Sequence, residues 1–306
     1  MNYQEFKQSI VERLKDFYGK DAEISVNETM KNNQQKMDGV CIRICDKDTM
    51  CVPVIYLNHY FEKYEEGTLN VEECIGEIIK IREQSDCCEE IRSFASHLTD
   101  WNYIKESVYP MLLSTAENRE LMEELVNSCF LDLSVIYVVR GTETGDGISS
   151  VKVTETLFSH FGITKEELHM QAVKNMKKDG YQFQNMENIV AMILSIEETE
   201  PEEETETVKE LEQGKMYVLT NERKMYGAAG ILDSELLMKR LGSISCYVLP
   251  SSVHELIFIP ASEEIRQTEL DEMVREVNET QVEAGEVLSD HSYYYDAILQ
   301  EVRICA

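Results

Sequence analysis

The stretch Leu249-Pro250-Ser251-Ser252-Val253-His254-Glu255 brings a histidine, two hydroxyls and a carboxylate into seven consecutive positions. A serine, a histidine and an acid are the parts of an acyl-transfer site, in which the imidazole takes the hydroxyl proton and the acid orients the imidazole. Period-two geometry puts Ser252 and His254 on one face and Glu255 on the other, so Glu255 points the wrong way to orient its neighbour. The more ordinary reading is a polar connection between two strands whose histidine hydrogen-bonds locally. Asn221 lies in another connection of the same expected sheet, and Gly227, with no side chain, permits close approach of backbone. Sequential strands usually neighbour one another. Ser251, Ser252, His254, Glu255, Asn221 and Gly227 therefore form one candidate site.

Thiols and glycines offer less. Cys41 and Cys45 would point to one face of a strand about 13 Å apart, too far to share one ion. Cys45 and Cys51 would face each other across a hairpin but lack further ligands, and Cys87-Cys88 sit between acids that raise a thiol pKa. Neither a metal nor a cofactor is expected. The run Gly141-Thr142-Glu143-Thr144-Gly145-Asp146-Gly147 has the glycines of a phosphate cradle, but its acids would repel phosphate, and it reads as a hairpin loop. Tyr293, Tyr294 and Tyr295, between Asp290 and Asp296, suit a cation or a partner chain, and more simply a strand closing a sheet.

Charge narrows the partners. Twenty-nine Lys plus Arg against 58 Asp plus Glu give a net charge of −29, a surface that repels nucleic-acid backbones and anionic lipid. A protein partner is expected, a basic one by charge complementarity, with mimicry of DNA toward a DNA-binding protein as a third reading. The opening residues lack the basic and apolar regions of a signal peptide, and no run approaches the length of a membrane span. Nine cysteines, an odd number in a long chain, fit a reducing compartment, so a cytoplasmic location is expected.

The elements that must position these residues follow from periodicity. Tyr3, Phe6, Ile10, Leu14 and Phe17 make an amphipathic helix over 2–18 that Gly19 ends. Glu23–Thr29, Gly39–Cys45 and Cys51–Leu57 read as a three-stranded meander with Asp46–Met50 as a loop; helices follow, one capped by Asn58 and one over Val71–Gln84. In the middle third, Tyr103–Ser114 reads as a strand broken by Pro110, Glu117–Val126 as a helix, and Leu131–Arg140 as a buried strand paired with Ser149–Thr154. Helices are expected over Glu155–Phe161 and Thr164–Met176, the second with a capping box from Thr164 and Glu167. Beyond Glu197–Glu212, strands at Met216–Thr220, Gly227–Leu232, Ser245–Leu249 and Glu255–Ile259 alternate with helices around Leu237 and Leu270. The fold class is α+β, antiparallel sheets flanked by helices, ending in a ββαββα domain. The expected organisation is 1–100, a middle segment 101–196 packed with the first, an acidic linker 197–212 holding nine Glu against one Lys, and a domain 213–306.

Six phrases across the chain, Val54–Asn58, Phe130–Val135, Met216–Asn221, Tyr226–Ala229, Leu249–Glu255 and Leu288–Asp290, resemble an uncharacterised family of acidic bacterial proteins from Gram-positive anaerobes, a domain-of-unknown-function group. The C-terminal third is also similar to a second uncharacterised Gram-positive family. The resemblance implies a cytoplasmic bacterial protein and carries over no activity, cofactor or catalytic residue. With no strong catalytic signature in the chain, the leading expectation is a non-enzymatic interaction or regulatory protein. A hydrolase using His254 with Ser251 or Ser252 is the alternative.

Overall fold

A computed structural model describes residues 1–45, 52–85, 89–144, 147–193 and 211–305. The architecture is α+β with antiparallel sheets. It divides into two compact units, one of residues 1–100 with 141–149, the other of 101–140 with 150–306.

In the first unit, α1 (Tyr3–Tyr18) starts at a capping box in which Asn2 and Glu5 satisfy each other's backbone N–H, and stops at Gly19, whose φ of 58° suits glycine. Its apolar stripe buries Phe6, Ile10 and Leu14, while Phe17 stays exposed. Strands β1 (Ala22–Met30), β2 (Lys36–Ile44) and β3 (Val54–Tyr56) form the expected meander. The helices α2 (Leu57–Glu65), α3 (Val71–Ser85) and α4 (Glu89–Ser96) follow. Val40, Ile42 and Ile55 share a core with α1 and with Leu57, Tyr60, Cys74 and Ile78. Asn58 does not cap α2, which begins one residue earlier; its side chain accepts from the Asp38 amide at 2.9 Å and ties the helix to β2. The Asp46–Met50 loop and Cys51 lie outside the described residues.

The second unit opens with α5 (Trp101–Ile104), and the strand expected from Tyr103 begins only at β4 (Val108–Ser114). Pro110 sits within β4 and does not break it, because β4 is an edge strand where a missing donor leaves no ladder bond unmade. After α6 (Arg119–Glu124) come β5 (Asn127–Phe130), β6 (Leu133–Thr144) and β7 (Gly147–Lys152), giving the order β4-β6-β5 with β7 on β6. The Gly141–Gly147 turn falls partly outside the described residues. Short α7 (Glu155–Phe158) precedes α8 (Lys165–Lys178), which carries the expected Thr164–Glu167 capping box and packs on β4.

Next are β8 (Tyr181–Asn185), α9 (Met186–Ile193), β9 (Tyr217–Asn221), α10 (Ser234–Leu241), β10 (Cys246–Pro250), β11 (Leu256–Pro260), α11 (Gln267–Thr280), β12 (Tyr293–Asp296) and β13 (Glu301–Ile304). The six strands order as β13-β12-β10-β11-β9-β8, each pair antiparallel. Helix α11 covers one face, where Leu249 and Ile259 meet Leu270 and Val274.

Two further expectations change. Gly227–Leu232 is a 3-10 turn and not a strand, since its small buried residues lie flat on β9, with Leu219 and Tyr181 both 3.2 Å from where a Cβ on Gly230 would stand. Of the middle segment, residues 101–140 and 150–196 group with the C-terminal part and only 141–149 with the first hundred residues: β8 lies before the acidic stretch, β9 after it, and they pair from Tyr181↔Asn221 to Asn185↔Tyr217. Most of Glu197–Glu212 lies outside the described residues.

Candidate functional site

The six candidate residues converge. At the end of β9, Asn221 folds the chain back on itself: its Oδ1 accepts from the Met225 amide at 3.1 Å, and its Nδ2 donates to the Met225 carbonyl at 2.8 Å. Lys224 and Tyr226 take left-handed backbone angles to complete this turn. Gly227 is then pressed against two backbones. A Cβ there would stand 2.6 Å from the Asn221 nitrogen, the His254 oxygen and the Thr220 hydroxyl, so only glycine fits.

The β10–β11 connection supplies the other half. The Ser252 hydroxyl accepts from the His254 amide at 3.0 Å, and Ser251 donates to Glu255 at 3.3 Å. Thr220 donates to the His254 carbonyl at 2.9 Å. The imidazole is held at both nitrogens: Nδ1 accepts from the Tyr226 amide at 3.1 Å, and Nε2 lies 3.0 Å from the Glu286 carboxylate. Because a backbone N–H can only donate, Nδ1 carries the lone pair and Nε2 the proton. The Tyr226 ring lies nearly parallel to the imidazole, 16° apart with centroids at 5.6 Å. Glu286 is fixed in turn, as its carbonyl accepts from the Val253 amide at 2.9 Å.

This arrangement locks three connections together and forms no nucleophile–base pair. A serine nucleophile needs its hydroxyl on the imidazole's free lone pair, whereas here that lone pair is taken by a backbone amide and Ser252 faces its own loop. The acid that engages His254 is Glu286, not Glu255. Sequence reasoning missed Glu286, Tyr226 and Thr220, and only Thr220, next to Asn221 on a strand, carried any signal.

A second polar cluster lies between the β5–β6 turn and the segment before β12. Asp132 accepts from the Tyr293 hydroxyl and pairs with His291 Nε2, both at 2.9 Å, while His291 Nδ1 lies 3.1 Å from the Ser292 carbonyl. Burial alone would push His291 down, but the Ser292 carbonyl and the Asp132 and Asp290 carboxylates outweigh it and raise its pKa above the usual value. With a hydrogen-bond acceptor at each nitrogen, the ring suits the imidazolium form. Burial pushes the Tyr293 hydroxyl up and the Cys246 thiol up to about 12, so neither is a nucleophile near neutral pH. Tyr293 to Tyr295 lie on β12, an inner strand paired with β10 on one side and β13 on the other, so the sheet does not end at them.

Among the described residues, no group of three or more His, Cys, Asp or Glu side chains is placed to hold a metal ion. Along α8 an open cleft of about 540 Å³ is lined by His169, Met170, Val173 and three lysines. It is not an anion site on charge alone, since Lys177 pairs with Asp233 and Glu235 and Lys178 with Glu106. No helix among the described residues is long and apolar enough to cross a membrane.

The model of a family of unknown function, DUF5688, matches residues 3–297. The chain belongs to that family. No curated protein and no solved structure matches it. Membership therefore brings no activity with it, and several of the stretches behind the sequence resemblance meet in the fold. Tyr226–Ala229 meets Leu249–Glu255 at Gly227 and His254, and Phe130–Val135 meets the segment after Leu288–Asp290 at Asp132.

Proposed function

We propose that this protein works by binding another protein and that its binding face is the open edge of the six-stranded sheet. The observation that carries this reading is the β12–β13 hairpin. Ile298 is 92% exposed and Leu299 59% exposed at its tip, and Ile304 is 43% exposed on β13. Large apolar side chains on an edge strand are what proteins ordinarily avoid, because the unpaired N–H and C=O groups beside them recruit another strand. Where they persist, strand addition or an apolar anchor in a partner's pocket accounts for them. The sites of His254, Ser251, Ser252, Glu255, Asn221 and Gly227 then serve as the frame that keeps β9, β10 and β11 in register.

A cytoplasmic setting in a Gram-positive bacterium is part of the same proposal, supported by cysteine usage and the sequence resemblance. Direct contact with nucleic acid or a membrane surface is not proposed, given 58 acidic against 29 basic residues.

A photo-reactive amino acid placed at Ile298, with Glu276 on α11 as a control position, tests the reading in the cell that makes the protein. Discrete protein adducts from position 298 and none from 276 are expected. Equal labelling from both positions, or none from 298, would remove the edge as the binding face.

A further inference from the structure

The open strand reads Glu301-Val302-Arg303-Ile304, and its register on β12 sets Glu301 opposite Asp296 and Arg303 opposite Tyr294. Two carboxylates directly across a ladder are unfavourable neighbours. Arg303 answers one of them: it reaches Asp296 at 3.3 Å and lies 5.0 Å from the centre of the Tyr294 ring. Glu301 remains exposed, with no ion pair among the described residues. On its other side β13 has no strand partner among those residues.

Strand geometry restricts what can pair there. In an antiparallel ladder, residues whose backbone groups point outward must face residues that also point outward. For β13 against a copy of itself, this permits only pairings centred on a residue. Centred on 301, Glu301 meets the partner's Glu301. Centred on 303, Arg303 meets the partner's Arg303. Centred on 302, Glu301 meets the partner's Arg303 twice, and Val302 meets the partner's Val302. In that one register Ile304 of each copy also lies diagonal to the partner's Val302, on the sheet face that carries Tyr293 and Tyr295.

We infer that the protein pairs with a second copy of itself through β13, antiparallel and centred on Val302, joining two six-stranded sheets into one. The inference rests on the proposed role of this edge in protein binding and names its occupant. Opposite charges across the new ladder relieve the Glu301–Asp296 conflict, which a neutral strand would not do. Two chains of −29 repel one another, but that repulsion is largely screened beyond about 8 Å at physiological salt. A basic partner would be favoured by net charge alone, with no preference for this register.

Sedimentation velocity on the full chain separates the cases. Wild type is expected to self-associate reversibly, more at physiological than at low salt. Glu301→Arg places arginine against arginine and Arg303→Glu places glutamate against glutamate, and each is expected to weaken association at least tenfold. Mixing the two single variants should form a mixed dimer, and the doubly exchanged chain should associate as wild type does, which no defect in folding would reproduce. Wild type that stays monomeric at about 100 µM, a hundredfold above a micromolar Kd, would overturn the inference, as would single variants that associate like wild type. A monomer that still gives adducts with another protein from position 298 removes the second copy and leaves the binding reading standing; a monomer with no adducts removes both.

Discussion

At the scale of single residues, His254 and Gly227 are parts of one joint. Replacing His254 with alanine leaves the Tyr226 amide without its acceptor and removes the Glu286 contact. A half-buried donor left unpaired costs about 1–2 kcal/mol, so His254→Ala is expected to lower the melting temperature by more than a surface change would. A variant as stable as wild type would show the joint to be dispensable. Gly227→Ala is expected to cost more, about 2–3 kcal/mol, because two of the three atoms its Cβ would meet belong to backbone and cannot swing aside. Denaturant titration measures both. His291 makes a pH-dependent contribution. Its folded pKa is raised, so its stabilisation is complete below the usual histidine value near 6.5 and is lost as pH rises through the raised value. Tyr293, Asp132 and Asp290 are the titratable groups that face it. The difference in stability between wild type and His291→Gln is expected to shrink from pH 6 towards pH 8; a constant difference would mean that the ring does not change charge in that range.

At the scale of elements, what was legible in the sequence is what local physics decides. Caps and stops were legible, because Thr164 with Glu167, and Gly19, act within a few residues of themselves. Strongly apolar strands were legible too: β6, β10 and β11 lie within a residue or two of where their β-branched runs placed them, apart from the longer C-terminal end of β6. Three strands were not, among them Glu301–Ile304, four residues with a charge at every second position. Asn127–Phe130 and Tyr181–Asn185 are short and largely polar, and β8 exists because Phe183 stacks on Tyr217 and packs against Phe258, rings that lie 34 and 75 residues further along the chain. The candidate site was half legible for the same reason. Asn221, Gly227 and the Ser251–Glu255 loop follow from neighbouring strands, whereas Glu286 arrives from a stretch without periodicity. The dependence of β9 on β8 changes where the chain can be divided. A fragment beginning at Trp101 keeps both sheets and is expected to unfold cooperatively. One beginning at Gly214 loses β8, exposes the edge of β9 and the faces of Tyr217 and Phe258, and is expected to bind a hydrophobic dye and melt broadly. Cooperative unfolding of the shorter fragment would show β8 to be an accessory strand.

At the scale of the whole molecule, the nine glutamates of 197–212 separate two strands that are nearest neighbours in one sheet. Covalent continuity and structural continuity therefore part company at this point of the chain. If the acidic stretch were a linker between independent domains, cutting it would release two bodies that diffuse apart. With β8 on one side of the cut and β9 on the other, cleavage instead leaves a five-pair antiparallel ladder in place. The close approach of Tyr181 to Gly230, which leaves little room there for a side chain, and the bond from Tyr181 to Asp233 at 3.3 Å also hold the two pieces together. Arg140 adds a further tie, since its guanidinium donates to the Met225 carbonyl at 3.1 Å and pairs with Asp179. A sequence-specific protease site inserted between Glu204 and Thr205 makes the cut without touching any of these groups. After complete cleavage the two pieces are expected to co-elute at the size of the intact chain and to separate only in denaturant. Their melting temperature should fall with dilution, because unfolding now also separates the pieces. Elution as two folded pieces in native buffer would restore the acidic stretch as a true domain boundary.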